Sequence, residues 1–351
     1  MTSAAPPSRS PLVTAVVPVR DGGTFLRESL DSILGQTYPA IEVIVMDDAS
    51  TDETPEIAAS YGDRIAVVRQ QSPRGIYGNA NDGIARAAGE LIGVFHADDV
   101  YLPEMVEREV EWLGAHADAG AVFCSDIFVD GDGRELGRLV LPLELCGSRP
   151  LAYPEVLNGL LRHKNVFLRC PTALVRASVY RELGGYRDTE FKNTADLEMW
   201  LRIARAHPLG VLEEHLLRYR RGHGSSSERY QRVRTDPNRF FVILDRELEQ
   251  GGRTHARPDA LRAYEAHRAE DILMRAVSNY VLDDRRGARG LLADLHLGRL
   301  AGSPAVERGR LTMLALAMRL LVRVPRSDLL ARLFARRWHG GLRSPTPVGP
   351  S

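Results

Sequence analysis

The chain is poor in the features that would commit it to several familiar classes. Only three cysteines occur in 351 residues, Cys124, Cys146 and Cys170. They are odd in number and lack the close paired spacing that holds zinc or a redox disulfide, which points to a reducing compartment. Neither sign of charge is in excess, with 46 Lys+Arg against 46 Asp+Glu, so wholesale nucleic-acid binding is disfavoured. No run of about 18 uninterrupted apolar residues offers a membrane-spanning helix. The Pro-, Ser- and Ala-rich start lacks the basic and apolar parts of a secretory signal, and a cytoplasmic location is the expectation. Two nucleotide signatures are also missing. The first turn supplies only Asp21-Gly22-Gly23 where a dehydrogenase needs Gly-x-Gly-x-x-Gly, and no phosphate loop of the Gly-x-x-x-x-Gly-Lys-Ser/Thr form appears. The Asp130-Gly131-Asp132-Gly133 turn lacks the later ligands of a calcium loop.

What the first half does contain is a regular alternation. β-branched runs at residues 12–18, 41–46, 65–68, 91–95 and 121–125 read as strands. Segments of helical spacing separate them, one opened by Thr24 and another by the Ser50-Thr51-Asp52-Glu53 capping box. This order predicts a mainly parallel sheet with helices on both faces. Two strands end in acid pairs, Asp47-Asp48 and Asp98-Asp99. Carboxylates at the carboxyl edge of such a sheet stand where open α/β folds bind ligands, and adjacent acids there suit a hard divalent cation carrying phosphate oxygens. The competing reading is that Asp98 or Asp99 only caps the next helix.

Further on, residues 171–176 read as a short strand, and a helix at 178–183 is stopped by Gly184-Gly185. Asn193-Thr194-Ala195-Asp196 opens a helix with Leu197, Trp200 and Leu201 on its inner face. Asp196 there is either a helix cap or a general base able to take the proton of a sugar hydroxyl. The Arg221-Gly222-His223-Gly224 stretch is either a cationic lid over a diphosphate or a surface loop. Beyond Arg229 the pattern is helical. Residues 285–343 hold thirteen arginines against Asp294, Glu307 and Asp328, around an apolar stretch at 311–324 that suits either an anionic membrane surface or packing on the catalytic domain or a second subunit. The expected organisation is a disordered stretch at 1–11, a catalytic domain at 12–227 divided near 125, a helical region at 228–343 and a disordered tail at 344–351.

Taken in order, Val16-Val17-Pro18-Val19-Arg20, Leu30 to Tyr38, Val43 to Asp52, Gly89-Glu90-Leu91-Ile92, Ala97-Asp98-Asp99, Gly184-Gly185-Tyr186 and Asp196 with Trp200-Leu201-Arg202 resemble the inverting, sugar-nucleotide-dependent glycosyltransferases of family two. The resemblance implies the GT-A, Rossmann-type fold with an α-helical C-terminal extension. It implies that Pro18, Val19, Arg20 and Asp48 bind the base of a UDP-sugar donor, that Asp98 binds the ribose, and that Asp99, with His223, holds Mg²⁺ or Mn²⁺. It makes Asp196 the catalytic base and puts Pro171, Thr172, Gly184, Gly185 and Tyr186 on the acceptor side, toward a glycan or lipid-linked acceptor of cell-surface polysaccharide or glycolipid synthesis. A peripheral contact with the inner face of the membrane and a homo-oligomer are further expectations. Three departures stand out. Arg20-Asp21 replaces a common Tyr-Asn, His96 takes the place of the first acid of Asp-Ala-Asp-Asp, and the interval from Tyr219 to His223 is one residue longer than usual. A non-catalytic sugar-nucleotide-binding module is the alternative from another class.

Overall fold

A computed structural model describes residues 10–147, 149–222, 234–325 and 327–339. Two compact units emerge, one made of residues up to 156 with 165–221, the other of residues 157–164 with 222 onward.

The first unit is built on a nine-stranded sheet in the order β3-β2-β1-β4-β8-β6-β9-β5, with β7 paired to β6. In chain order it runs β1 (Val13–Val19), α1 (Gly23–Leu34), β2 (Ile41–Asp47), α2 (Thr54–Ala59), β3 (Ala66–Arg69), α3 (Ile76–Ile84), β4 (Leu91–Val94), β5 (Val100–Tyr101), α4 (Met105–Ala115), β6 (Ala121–Val129) and β7 (Glu135–Arg138). It continues through β8 (Ala173–Arg176), α6 (Ala177–Leu183), α7 (Asp188–Phe191), α8 (Ala195–Ala206) and β9 (Leu209–Arg220), while α5 (Tyr153–His163) passes to the second unit after Val156. The strands β1, β2, β3 and β4 are mutually parallel through their pairings. β8 then runs antiparallel between β4 and β6, which leaves β6 and its parallel partner β9 pointing the same way as β1. The mainly parallel α/β sheet expected from the sequence is therefore present, with β5, β7 and β8 as the reversed strands.

All seven residues of β1 and all nine of β6 are buried, as a sheet covered on both faces requires. Val13, Val17, Leu26, Leu30, Val45, Phe95 and Trp112 belong to one apolar cluster. This packing fixes the register that lines up the carboxyl ends of β1, β2 and β4. Val19 lies opposite Asp47, and the Phe95 amide donates to the Val16 carbonyl at 2.8 Å.

The second unit is helical: α9 (Arg239–Glu249), α10 (Pro258–Val281), α11 (Arg285–Asp294), α12 (Ala305–Leu321) and α13 (Asp328–His339). Leu273, Val277 and Tyr280 of α10 pack with Leu292 of α11 and Leu311 and Met318 of α12. Two arginines close the ends of each other's helices. Arg319 donates to the Leu295 carbonyl at 2.6 Å beyond α11, and Arg289 to the Val322 carbonyl at 2.9 Å beyond α12, meeting the unpaired carbonyls with positive charge. Part of the apolar stretch at 311–324 is thus core of the helical unit itself, a partner neither of its two readings named. Among the described residues, no helix is long and apolar enough to cross a membrane.

Candidate active site

The carboxyl edge of β1, β2 and β4 carries the predicted acids. After β1 the chain turns through Asp21, whose φ of 49° is left-handed. That strain is held by the facing loop after β2. The Asp21 amide donates to Ser50 Oγ at 3.0 Å, the Gly22 amide to Thr54 Oγ1 at 2.9 Å, the Gly23 amide to Asp52 Oδ2 at 2.9 Å, and the Thr51 amide returns to Asp21 Oδ1 at 2.8 Å. These bonds correct two cap assignments. Ser50 spends its oxygen on Asp21, α2 begins at Thr54 with no side-chain cap, and α1 begins at Gly23, ahead of Thr24.

Pro18 and Val19 end β1 in the sheet, and the Val19 carbonyl accepts the Asp48 amide at 2.8 Å. The Arg20 guanidinium is about half exposed, with its Nε 3.8 Å from Asp21 Oδ2. Asp48 is buried, and its two oxygens accept the amides of Arg74 at 2.6 Å and Gly75 at 3.0 Å, immediately before α3. One acid of the second strand is thereby tied to the start of a helix that also reaches Asp196.

After β4, His96, Asp98 and Asp99 bring one ligand atom each within 4.8 Å of one another. Asp99 is 1% exposed; its Oδ1 accepts the Arg220 amide at 2.8 Å, while its Oδ2 and the Nε2 of His96 are buried with no hydrogen-bond partner. Burial first, and then the Asp98 charge, push the Asp99 carboxyl well above its usual range. Burial holds the His96 imidazole below its ordinary value against the pull of the Asp98 charge, with its Nδ1 3.7 Å from Asp99 Oδ2. Orphaned buried acceptors on a His-Asp-Asp cluster fit a divalent cation, which would supply the missing partners. The reading of Asp98-Asp99 as a helix cap falls away, because β5 intervenes before α4.

Asp196 is the second residue of α8, behind Thr194 at the cap position, so it is not the N-cap. It is half-buried. Its pKa is pushed up to about 6 by burial, against the opposing pull of the Leu197 amide and the Tyr77 hydroxyl. The Tyr77 ring, on α3, packs 4.8 Å from that of Tyr186, which in turn lies 5.9 Å from Trp200 of α8. Cys170 feels both acids: its thiol is raised first by burial, then by Asp196, and also by Asp99. Asp48 and Asp196 thus both lie against the start of α3, and Asp196 and Asp99 both bear on Cys170.

The predicted acceptor-side residues lie mostly below the surface. Pro171 and Thr172 are buried, with Thr172 Oγ1 donating to the Arg169 carbonyl at 3.0 Å, and Tyr186 is 3% exposed. Gly184 has a φ of 78°, and a Cβ on Gly185 would stand 2.2 Å from Asn81 Oδ1. Asn81 accepts the Tyr186 amide at 2.8 Å and donates to its carbonyl at 2.8 Å. Gly185 and Tyr186 are thereby fastened to α3, the helix whose Tyr77 hydroxyl reaches Asp196. His223 lies outside the described residues.

Arg220 was not legible in the sequence. It is 4% exposed; its Nε donates to the Asp98 carbonyl at 2.9 Å, its Nη1 to the Gly131 carbonyl at 2.9 Å and its Nη2 to Glu28 Oε2 at 2.6 Å, over the Phe25 ring. One buried cation thus holds the loop after β4 to the turn after β6. Tyr77 and His96 were likewise missed as parts of the site.

Residues 14–184 match the sequence model described as Glycosyl transferase family 2. An uncharacterized glycosyltransferase of Rickettsia prowazekii is 32% identical over 213 residues, 60% of this chain and 64% of that protein; the chain therefore spans less than two thirds of that relative. The structure is similar to that of S. aureus TarS 1-349 in complex with UDP-GlcNAc, with a TM-score of 0.58 and 15% identity over 95% of this chain and 93% of that one. It is also similar to the mannosyltransferase PcManGT from Pyrobaculum calidifontis in complex with GDP-Man and Mn²⁺, with a TM-score of 0.52 and 18% identity over 97% and 91%. Residues 14–184 of this chain carry the sequence pattern of glycosyl transferase family 2, on a GT-A fold.

Proposed function

We propose that the protein is an inverting glycosyltransferase that moves a sugar from a nucleoside-diphosphate sugar, a UDP-sugar foremost, to a hydroxyl of a glycan or lipid-linked acceptor in cell-surface polysaccharide or glycolipid synthesis at the cytoplasmic side of the membrane. The observation that carries the reading is the pairing of a half-buried carboxyl with a pKa of about 6, Asp196, with the His96-Asp98-Asp99 cluster on the same sheet edge. The Mn²⁺ and nucleotide-sugar complexes of the two similar structures support it.

In this reading Pro18, Val19 and Arg20 flank the nucleobase, Asp48 accepts from a ring N–H, and Asp98 accepts from the ribose. Asp99, with Asp98 and His96 beside it, would hold Mg²⁺ or Mn²⁺, which would supply Lewis-acid neutralisation of the diphosphate leaving group. Asp196 accepts the acceptor's hydroxyl proton as that oxygen attacks the anomeric carbon from the face opposite the leaving group, so a single displacement inverts the centre. A carboxyl with a pKa near 6 is largely ionised at neutral pH yet is a stronger base than an ordinary aspartate, which suits this step. Arg220 keeps Asp99 aimed through its amide and holds the Asp98 backbone.

The test is turnover of a panel of UDP- and GDP-sugars with and without chelator. Donor-dependent release of nucleoside diphosphate that chelator abolishes and Mn²⁺ restores is the expected result. Donor binding with no turnover under any condition would leave a sugar-nucleotide-binding module instead.

A further inference from the structure

Seven of the fourteen exposed large apolar side chains of the described residues fall between positions 306 and 333, which marks one surface out from the rest. Helix α12 is apolar on two opposite faces. Leu311, Ala315 and Met318 point into the helical core. Half a turn away, Val306, Met313 and Leu320 are 87%, 73% and 65% exposed, with Leu316 at 49% beside them and Val324 at 49% just past the helix end. Their seven- and four-residue spacing puts them in a single outward stripe. Leu329 and Leu333, one turn apart on α13, are 69% and 52% exposed. A stripe of this extent in water requires a partner.

The charges around it say which. Arg310 and Arg323 lie on opposite edges of the stripe, Arg332 adjoins Leu333, and all three are exposed. The neighbouring arginines Arg289 and Arg319 are spent on helix carbonyls, so they are not counted. The nearby acids, Glu307 and Asp328, stand in the first turns of α12 and α13, where the helix dipole favours them. A second copy of the chain seated on this face would set Arg310, Arg323 and Arg332 against like charge. An acyl-chain boundary lined with anionic headgroups matches both the apolar stripe and its cationic edges.

We propose that the outward face of α12 and the start of α13 dock on an anionic lipid surface. The inference rests on the helical unit alone and is independent of the transferase reading. Its test is sedimentation of the full chain with vesicles of phosphatidylglycerol and phosphatidylcholine against vesicles of phosphatidylcholine only. The wild type sediments with the anionic vesicles at low salt and stays in solution with the neutral ones. Leu320→Glu and, as a second variant, Met313→Glu remain in solution with both. The Arg310→Glu/Arg323→Glu pair weakens partition at least about tenfold. All variants keep the helical circular dichroism and the donor turnover of the wild type, because the altered side chains are exposed and outside the catalytic unit. Absence of sedimentation, equal sedimentation of wild type and Leu320→Glu, or a concentration-dependent dimer that Leu320→Glu dissolves would each overturn the proposal. Absence of donor turnover in the wild type with vesicle binding intact would count against the transferase reading only.

Discussion

Replacing Asp196 by Asn should produce opposite changes in activity and stability. Burial raises the Asp196 pKa from 3.8 to about 6, and at 1.36 kcal/mol per unit this corresponds to about 3 kcal/mol. The sign follows from linkage. Below the unfolded pKa the acid is protonated in both states and contributes nothing. As pH rises from about 4 to about 6 the unfolded chain loses the proton first, so the native state loses stability, and above that range the full penalty persists. Asn removes the ionisation. The variant should gain about 1.6 kcal/mol at about pH 5 and about 3 kcal/mol at about pH 7.5, as upper values for a half-buried group. Turnover should fall about 10² to 10⁴-fold, the scale of a lost general base, with donor affinity kept. Wild-type kcat/KM should rise with pH through about 6. Urea unfolding at the two pH values, beside steady-state kinetics, reads both effects. Near-normal turnover would remove Asp196 from the base role, and a pH-independent stability difference would refute the electrostatic account.

Other perturbations follow from the same geometry. Asp99→Asn should abolish Mn²⁺ binding, followed by calorimetry, because Asp99 Oδ2 is a buried acceptor of the cluster with no partner of its own. Glu109 is fully buried on α4, and burial pushes its carboxyl well above the usual range against the opposing pull of the Cys124 thiol. Glu109→Gln should therefore stabilise the protein by about 1 to 3 kcal/mol at neutral pH and progressively less as pH falls toward the ordinary glutamate pKa, read by chemical unfolding. Gly185→Ala should lower stability by about 1 to 3 kcal/mol and reduce turnover, since the new methyl displaces the Asn81 amide that grips Tyr186.

The parts of this architecture that were legible in the sequence are those set by local pattern. Buried strands ending in Asp47-Asp48 and Asp98-Asp99, and the amphipathic helix that carries Asp196, announce themselves through apolar periodicity and what terminates it. Partners distant in the chain do not. Nothing local to residues 173–176 says that this strand inserts antiparallel between β4 and β6. Ser50 has the spacing of a capping box, but its hydroxyl is taken by the Asp21 amide from another loop, a competition visible only in three dimensions. His96 looks like a lost carboxylate in a motif and proves to stand in the metal-capable cluster. Arg220 looks like an ordinary strand-end cation, and its value comes from the loop after β4, the turn after β6 and helix α1 converging on it.

The grip of Arg74 and Gly75 on Asp48 bears on how donors are sorted. Its oxygens already receive two amide hydrogens of the chain, so toward a bound nucleotide this carboxylate offers lone pairs and no hydrogen. In the proposed pocket a uracil ring, whose N3 carries hydrogen, completes the set, whereas cytosine presents a lone pair to a lone pair and leaves a buried acceptor stranded. Mismatches of that kind are rejected far more strongly than a missing methyl group. Discrimination among donors would then begin at the heterocycle, before any contact with the sugar that is transferred.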